Sequence, residues 1–340
     1  MRVHLLVLNY NGRPLLEECL PSVLRTAEGS RHRCTAAVID NDSTDDSVAW
    51  LTRHFPRIGV IRRPNRGLCS FNDVVADLGD SAAVLLNNDI KLAPGCIDPL
   101  IEPLENDPAC FMTAPRCWLF DGSTYEGFKT AVRWRWGLVQ ATALFPGHET
   151  AIDVPSLTAS AGAALAVDCR KFTAIGGFDP LYLPGRLEDL DFAFRGHMAG
   201  YHGRYVPESD AYHHGMASFG KAFGTEGCDR LALRNTLLFQ WKNLRHPLHV
   251  VRHIAALPVR MAYDVCRTPL VPGGRRLAFT RALLAALLRL ERLRSNDHRA
   301  AGSTAREREF FRRFHPRRMS ETATTVRHRH AGREVARIVN

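Results

Sequence analysis

Short apolar segments alternate with segments of helical periodicity over the first 115 residues, and this alternation restricts the possible folds more than any other feature. The segments VHLLVLNY, CTAAVID, GVIRRP and AAVLLNN have the length and apolar content of buried strands. Between them, PLLEECLPSVLRTA places its apolar side chains on one side of a helix, and DDSVAWLTRHF predicts a second helix capped by Ser43 or Thr44. Continuous apolar strands interleaved with helices predict an α/β fold, with helices on both faces of a mostly parallel central sheet.

Polar clusters close three of these predicted strands, at Asn9–Asn11, Asp40–Asp46 and Asn87–Asp89. Ligands of α/β sheets bind beyond the carboxyl ends of the strands, so the three clusters are expected to converge on one site. The side chains of Asn87, Asn88 and Asp89 all carry a carbonyl-type oxygen. A solvated loop would explain them, but a cation or phosphate site explains them better if other parts of the chain complete it.

Length and composition restrict the class of protein. The 340 residues can form one large α/β domain with an appendage, or two smaller domains. The first residues do not have the pattern of a secretory signal, and no apolar run reaches the ~18–20 residues that span a bilayer. The nine cysteines are dispersed without a C-x-x-C pair, which favours reduced thiols in a cytosolic protein over a disulfide framework or a zinc site.

The basic charge is concentrated in the C-terminal third. Residues 1–243 have a balance of −4, whereas residues 244–340 contain 21 arginines, no lysine and seven acids, a balance of +14. An anionic partner would therefore bind the C-terminal third. We predict a helical extension over 244–340 whose polar end, from about Ser295, is partly disordered.

The chain lacks two common phosphate-binding devices. No G-x-G-x-x-G follows the first predicted strand, and no G-x-x-x-x-G-K-[ST] is present. The sequence therefore does not indicate a Rossmann dehydrogenase or a P-loop NTPase.

Six motifs occur in an order that points to a family. They are VLNYNG, VIDNDSTDDS, NRGLCSFND, LLNNDI, IGGFDPLYLPGRLEDLDFAFR and YVPESDAYHHGMASFG. Together, over roughly residues 3–243, they resemble glycosyltransferase family 2, the inverting enzymes with a GT-A fold, and within it the rhamnosyltransferase-like branch. The resemblance implies residues 1–115 as a nucleotide-sugar-binding half and residues 116–243 as an acceptor-binding and catalytic half.

The resemblance also implies roles for the matching residues. Asp89 would be the metal-binding carboxylate of the Asp-x-Asp or N-x-D motif, and Asn87 departs from the motif by supplying no charge. Asp189 of the Glu188-Asp189 pair would be the catalytic base, and His213 would help hold the metal or the diphosphate. The nucleotide-sugar-binding residues would be Asn9, Tyr10, Asn11, Asp40, Asn65, Asn72 and Asn88, with Asp40 bonding the base.

The implied chemistry requires these residue types. A sugar that leaves a nucleoside diphosphate leaves negative charge on the diphosphate, which Mg²⁺ or Mn²⁺ held by one or two protein carboxylates can neutralise. Inversion by a single displacement also needs a carboxylate to take the proton of the acceptor hydroxyl. The expected activity is transfer of a sugar, such as rhamnose or another hexose, from a UDP- or dTDP-sugar to a glycan or lipid-linked acceptor.

Simpler explanations remain for several of these residues. Glu188 and Asp191 could merely favour the dipole at a helix start, and Asp191 could pair with Arg195 four residues later. His213 could lie on the surface. Trp134 and Trp136 could stack on a sugar acceptor or serve only in packing.

Other functions also remain open at this stage. They are a sugar-nucleotide pyrophosphorylase, a non-catalytic nucleotide-sugar-binding protein, and a nucleic-acid-binding tail, which no recognisable nucleic-acid-binding motif supports. The segment from Leu277 to Leu293 has apolar residues around most of a helix and Arg281, Arg289 and Arg292 in one sector. It is expected either to pack on its own domain or to attach residues 244–294 to the anionic inner face of a cytoplasmic membrane.

Overall fold

We analysed a computed structural model, which describes residues 1–215, 217–270, 276–295 and 304–321. The strands are β1 (Arg2–Asn9), β2 (Arg33–Asp40), β3 (Gly59–Arg62), β4 (Ala82–Asn87), β5 (Ile90–Leu92), β6 (Cys110–Leu119), β7 (Tyr125–Gly127), β8 (Ala131–Arg135), β9 (Leu138–Thr142), β10 (Ser156–Thr158), β11 (Ala164–Asp168) and β12 (His202–His213). The helices are α1 (Arg13–Glu28), α2 (Ser47–His54), α3 (Ser70–Ala76), α4 (Ile97–Asn106), α5 (Cys169–Ile175), α6 (Glu188–Met198), α7 (Ala217–Asn243), α8 (Pro247–Arg267), α9 (Ala278–Leu287), α10 (Leu290–Ser295) and α11 (Thr304–Arg313).

The alternating pattern of the first 115 residues folds as predicted. Strands β1 to β4 coincide with the four apolar segments, and α1 and α2 lie where the helical periodicity placed them. The central sheet has the order β10-β12-β6-β11-β4-β1-β2-β3. Strand β1 lies in the middle of its parallel part and pairs in parallel with β2 and with β4. The predicted α/β architecture with a mostly parallel sheet and a helical C-terminal part is confirmed.

Two local features differ from the sequence-based expectation. Strand β11 lies between β4 and β6 and is antiparallel to both, so the parallel order is interrupted there. The N-cap position of α2 is occupied by Asp46, whose side chain makes no capping hydrogen bond, and not by Ser43 or Thr44. Ser43 and Thr44 instead hold the loop after β2 against Asn11, which bonds the Ser43 hydroxyl through its backbone N–H and the Thr44 N–H through its side chain.

The C-terminal helices help to form a second hydrophobic core. The first core lies around the central sheet, whereas the second joins side chains of residues 131–198 to side chains of α7, α9 and α11. Phe194 of α6, for example, packs edge-on against Phe239 of α7 and Phe310 of α11. The predicted boundaries between the two halves, at residue 115, and before the helical extension, at residue 243, stay predictions.

The segment from Leu277 to Leu293 is not one continuous helix, contrary to expectation. It forms α9 and α10, and the chain turns between them at Leu288 and Arg289. Arg289 donates to the carbonyl oxygens of Leu181 and Leu183, which directs it into the protein. Phe279, Leu283 and other residues of α9 are buried in the second core, so packing on its own domain accounts for one face of this segment.

Several further expectations concern the chain as a whole. All nine cysteines are free thiols, and only Cys266 is exposed. Within the described ranges, no helix is both long enough and apolar enough to cross a membrane. Much of the predicted disordered end, residues 296–303 and 322–340, lies outside the described residues.

Candidate active site

A cleft of about 1540 Å³ opens beyond the carboxyl ends of β1 and β4. It is where the strand-end rule places a ligand in a parallel sheet. The predicted site residues that line it are Tyr10, Asn65, Asn88, Asp89, Glu188, Asp189 and His213. Asn9, Asn11, Asp40 and Asn72 do not line it. The cleft therefore brings together the LLNNDI and GRLEDLDFAFR motifs, whose acids are about 100 residues apart in the chain.

Asn9, Asn88 and Asp40 form a buried chain of hydrogen bonds beneath the cleft. Asn88 Nδ2 donates to Asn9 Oδ1 at 2.7 Å, and Asn9 Nδ2 donates to Asp40 Oδ1 at 3.3 Å. The chain forms because β1 pairs in register with β2, so that Asn9 lies opposite Asp40. Gly12 packs against this chain so closely that an added Cβ would lie 2.0 Å from Asn88 Nδ2. These contacts join the ends of β1 and β2 to the loop after β4 beneath the cleft.

Two other predicted residues, Asn72 and Asn11, bond to backbone groups through their side chains. Both polar atoms of the Asn72 side chain bond the backbone of Phe178, at 2.8 Å from Nδ2 to the carbonyl oxygen and 2.9 Å from the N–H to Oδ1. Asn11 Oδ1 accepts from the N–H groups of Thr44 and Asp45. Both residues therefore position loops, one before the second acidic motif and one after β2.

Asp89 and His213 lie side by side at one wall of the cleft. Asp89 follows β4, and His213 ends β12, which pairs antiparallel with β5 through His213 and Ile90. His213 Nε2 is 3.4 Å from Asp89 Oδ1, and His213 Nδ1 is 2.7 Å from the Glu126 carboxylate. Both Asp89 and His213 are buried, so His213 is not a surface residue. Burial disfavours the charged ring, but the Asp89 and Glu126 carboxylates outweigh it and raise the pKa of His213 to about 9.

The residues of this wall fit a divalent cation. Asp89 Oδ1 is buried and makes no hydrogen bond. Glu126 engages Nδ1 of His213 and leaves Nε2 facing Asp89, the arrangement by which a carboxylate orients a metal-binding histidine. No group of three or more His, Cys, Asp or Glu side chains arranged to hold a metal occurs in the part of the chain that the structure describes. A cation here would need phosphate and water oxygens to complete its shell, as is usual for Mg²⁺.

The second acidic motif also lines the cleft, at the start of α6. Arg186 and Leu187 have φ values of 81° and 69°, so two non-glycine residues adopt the left-handed conformation immediately before Glu188. Residues in this sparsely populated region persist only where the surrounding structure imposes them, commonly at functional sites. The turn presents Glu188 and Asp189 to the cleft.

Glu188 and Asp189 differ in their environments. Asp189 Oδ2 accepts a hydrogen bond of 2.5 Å from the Ser160 hydroxyl. Glu188 Oε2 is buried without a partner. Burial, together with the nearby Asp189 carboxylate, raises the pKa of Glu188 to about 8. At neutral pH Glu188 is therefore mostly protonated.

Asp191 belongs to the support of α6 and not to the cleft. The predicted pair with Arg195 is present, with Nε 2.7 Å from Asp191 Oδ2. Asp191 also accepts from Tyr182, Lys242 and Asn243, at 2.7 to 2.9 Å. Burial would raise the pKa of Asp191, but Lys242 and Arg195 outweigh it and hold the pKa well below its usual range. This network joins the start of α6 to the end of α7.

Sequence reasoning missed several residues of the site. Glu126 lies on the short strand β7 and Ser160 in a loop, and neither has a local pattern that predicts its contact with His213 or Asp189.

The tryptophans Trp134 and Trp136 have different environments. Trp134 packs against His249 and Phe311, whereas Trp136 is exposed beside Tyr263 of α8.

Comparisons with known proteins indicate what this chain is similar to. Residues 5–156 match the family described as Glycosyl transferase family 2. The N-acetylglucosaminyl-diphospho-decaprenol L-rhamnosyltransferase of Mycobacterium tuberculosis is 25% identical in an alignment of 236 positions that covers 62% of this chain and 76% of that protein.

Solved structures share the fold at lower identity. GalNAc-T7 with UDP, GalNAc and Mn²⁺ has a TM-score of 0.57 and 18% identity over 86% of this chain, which spans only 57% of GalNAc-T7. S. aureus TarS 1–349 in complex with UDP-GlcNAc has a TM-score of 0.54 and 12% identity, covering 96% of this chain and 92% of TarS. The mannosyltransferase PcManGT from Pyrobaculum calidifontis, in complex with GDP-Man and Mn²⁺, has a TM-score of 0.51 and 18% identity. The match covers 88% of this chain and 84% of PcManGT. This chain is a glycosyltransferase with the GT-A fold, and its residues 5–156 match the family 2 model.

Proposed function

We propose that the protein transfers rhamnose or another hexose from a UDP- or dTDP-sugar to a glycan or lipid-linked acceptor, with inversion in a single displacement. The observation that carries the proposal is that Asp89, His213 and the Glu188-Asp189 pair line one cleft. The relative from M. tuberculosis, a rhamnosyltransferase named for a diphospho-decaprenol substrate, supports the choice of sugar and of a lipid-linked acceptor.

Asp189 is the base in this mechanism. Its carboxylate is held by the Ser160 hydroxyl and takes the proton of the acceptor hydroxyl while that oxygen attacks the anomeric carbon. The bond from the anomeric carbon to the diphosphate breaks in the same step, and the nucleoside diphosphate leaves. Glu188 is poorly suited to this role because its raised pKa keeps it mostly protonated at neutral pH. Two adjacent acids with such different environments are expected to have different roles.

Asp89 and His213 would hold Mg²⁺ or Mn²⁺. When bound, the cation supplies positive charge that stabilises the departing diphosphate. Asn87 carries no charge, so Asp89 is the only carboxylate of the strand-end cluster. His213 binds a cation only as a neutral ring, so the cation would have to displace the proton that Asp89 and Glu126 stabilise on it, and Glu126 would then orient the ring through Nδ1.

The nucleotide would lie along the floor of the cleft. Tyr10, Asn65 and Asn88 are directly available to it, while Asn9 and Asp40 support Asn88 from below. Residues 1–115 would form the half of the domain that binds the nucleotide-sugar, and residues 116–243 the half that binds the acceptor and carries out catalysis. The free thiols support a reducing, cytoplasmic location.

The donor is identified first. A panel of UDP-, dTDP- and GDP-sugars is screened for a rise in melting temperature with and without Mn²⁺, because a ligand that binds the folded state raises apparent stability. Transfer is then measured for Asp189→Asn and Glu188→Gln with the donor that binds. We expect Asp189→Asn to keep donor affinity and to lose about 10²–10⁴-fold in transfer, since only the proton acceptor is removed.

Glu188→Gln is the matched control, since it makes the same carboxylate-to-amide change one residue away. It is expected to reduce transfer much less. If Glu188→Gln were the more damaging variant, Glu188 would be the base and our assignment would be wrong.

A further inference from the structure

Helix α8 exposes a continuous apolar face. Although the helix has 21 residues and is about 31 Å long, His253 is its only buried residue. Five large apolar side chains are between 58% and 71% exposed: Leu248, Val251, Ile254, Val259 and Val265. At 100° per residue these positions, with Ala255, Pro258 and Ala262, occupy one side of the helix that contains no charged residue, and the exposed Arg252 borders it. Monomeric soluble proteins rarely expose such a contiguous patch without a partner.

The opposite side of α8 is anchored to the protein by polar contacts. The His253 ring bonds the side chains of Gln240 and Trp241. Arg260 donates to the carbonyl oxygens of Trp136 and Arg135. These contacts fix the rotation of the helix about its axis and thereby direct the apolar face outward.

The surroundings of this face have the composition of a membrane interface. Residues 244–295 contain ten arginines and two acids. Tyr263 of α8 and the neighbouring Trp136 are 46% and 55% exposed, with ring centroids 5.3 Å apart. Tryptophan and tyrosine are enriched at the headgroup level of bilayers, and basic residues are attracted to anionic headgroups.

The face is also next to the catalytic cleft. Tyr263, Asp264 and Arg267, at the C-terminal end of α8, line the same cleft as Asp89 and Asp189. The cleft lining there also includes Arg281 of α9. A surface in contact with α8 would therefore lie at the mouth of the cleft.

We propose that the apolar face of α8 docks on the surface of an anionic lipid bilayer, with the exposed Arg252, which borders that face, at the headgroups. The helix concerned is not the segment from Leu277 to Leu293, whose buried face belongs to the second core. Docking places the mouth of the cleft at the membrane surface. This position would give the site access to a lipid-linked acceptor. That consequence alone rests on the proposed function.

The test is co-sedimentation of the full chain with vesicles of phosphatidylglycerol and phosphatidylcholine, and with vesicles of phosphatidylcholine alone. We expect binding to the anionic vesicles that weakens as salt is raised. Val251→Glu should reduce this binding at least about tenfold, because affinity depends on buried apolar area and on attraction to anionic lipid. Leu144→Glu is the matched control, since Leu144 is 58% exposed but lies outside α8; it should bind as the wild type does.

Equal vesicle binding by the wild type and Val251→Glu, or no binding by the wild type, would overturn the proposal. Light scattering without lipid examines the other possible occupant, a second copy of the chain. A wild-type dimer that Val251→Glu dissociates, with no vesicle binding, would assign the face to that copy and also overturn the proposal. Vesicle binding needs no substrate, so the result is independent of the Asp189 experiment.

Discussion

The buried network around Asp191 is expected to be a major contributor to the stability of the second acidic motif. Asp191 is completely buried and lies two residues after Asp189. Its two oxygens accept from Tyr182, Arg195, Lys242 and Asn243. The substitution Asp191→Asn keeps the volume but removes the charge and turns one acceptor into a donor that faces other donors.

The expected cost follows from the groups left behind. Removing one partner of a buried ion pair costs about 3–5 kcal/mol, because the remaining charge is buried without compensation. Here Lys242 keeps Asp179 as a partner, at 2.6 Å, and Arg195 keeps the carbonyl oxygens of Ile175 and Gly177. We therefore expect a loss of about 3 kcal/mol, the low end of that range. A domain of ordinary stability, about 5–15 kcal/mol, would remain folded.

The free energy of unfolding is measured by denaturant titration, with Asp46→Asn as the control. Asp46 pairs with Arg13 at 2.5 Å, but both side chains are largely exposed, so its loss should cost no more than about 1 kcal/mol. A loss for Asp191→Asn as small as that of the control would refute the reasoning. Because the network orients the start of α6, Asp191→Asn should also reduce transfer while donor affinity is retained.

Two further predictions concern the acids of the cleft. Asp89→Ala should abolish the dependence of donor binding on Mg²⁺ or Mn²⁺ without unfolding the protein, and calorimetry showing unchanged metal-dependent affinity would contradict the assignment. Glu188 has a pKa raised from 4.5 to about 8 in the folded state, so its contribution to stability is present below pH 4.5 and is lost as the pH rises to about 8. Glu188→Gln cannot titrate, and its unfolding free energy relative to the wild type should therefore increase from pH 5 to pH 8; a constant difference would show that the pKa is not raised.

Local sequence patterns predicted the elements that depend on local periodicity. The apolar segments from β1 to β4 and the acids opening α6 lie where the sequence placed them. The antiparallel strand β11 was not predicted, because strand direction depends on which neighbours the chain returns to. The roles of Glu126 and Ser160 were not predicted either, since each meets its partner through a contact between distant parts of the chain.

Helices α8 and α9 of the C-terminal part show what the sequence determined and what only the tertiary structure decided. Periodicity identified apolar residues in the segment that contains α9, and composition assigned the basic charge to the whole C-terminal third, but sequence analysis did not single out α8. Only the tertiary structure shows that α9 buries Phe279 and Leu283 in the second core, while α8 buries His253 and directs its apolar face outward. The physical reason is that burial depends on which surface a distant part of the chain brings to the helix, and a helical period carries no information about that surface.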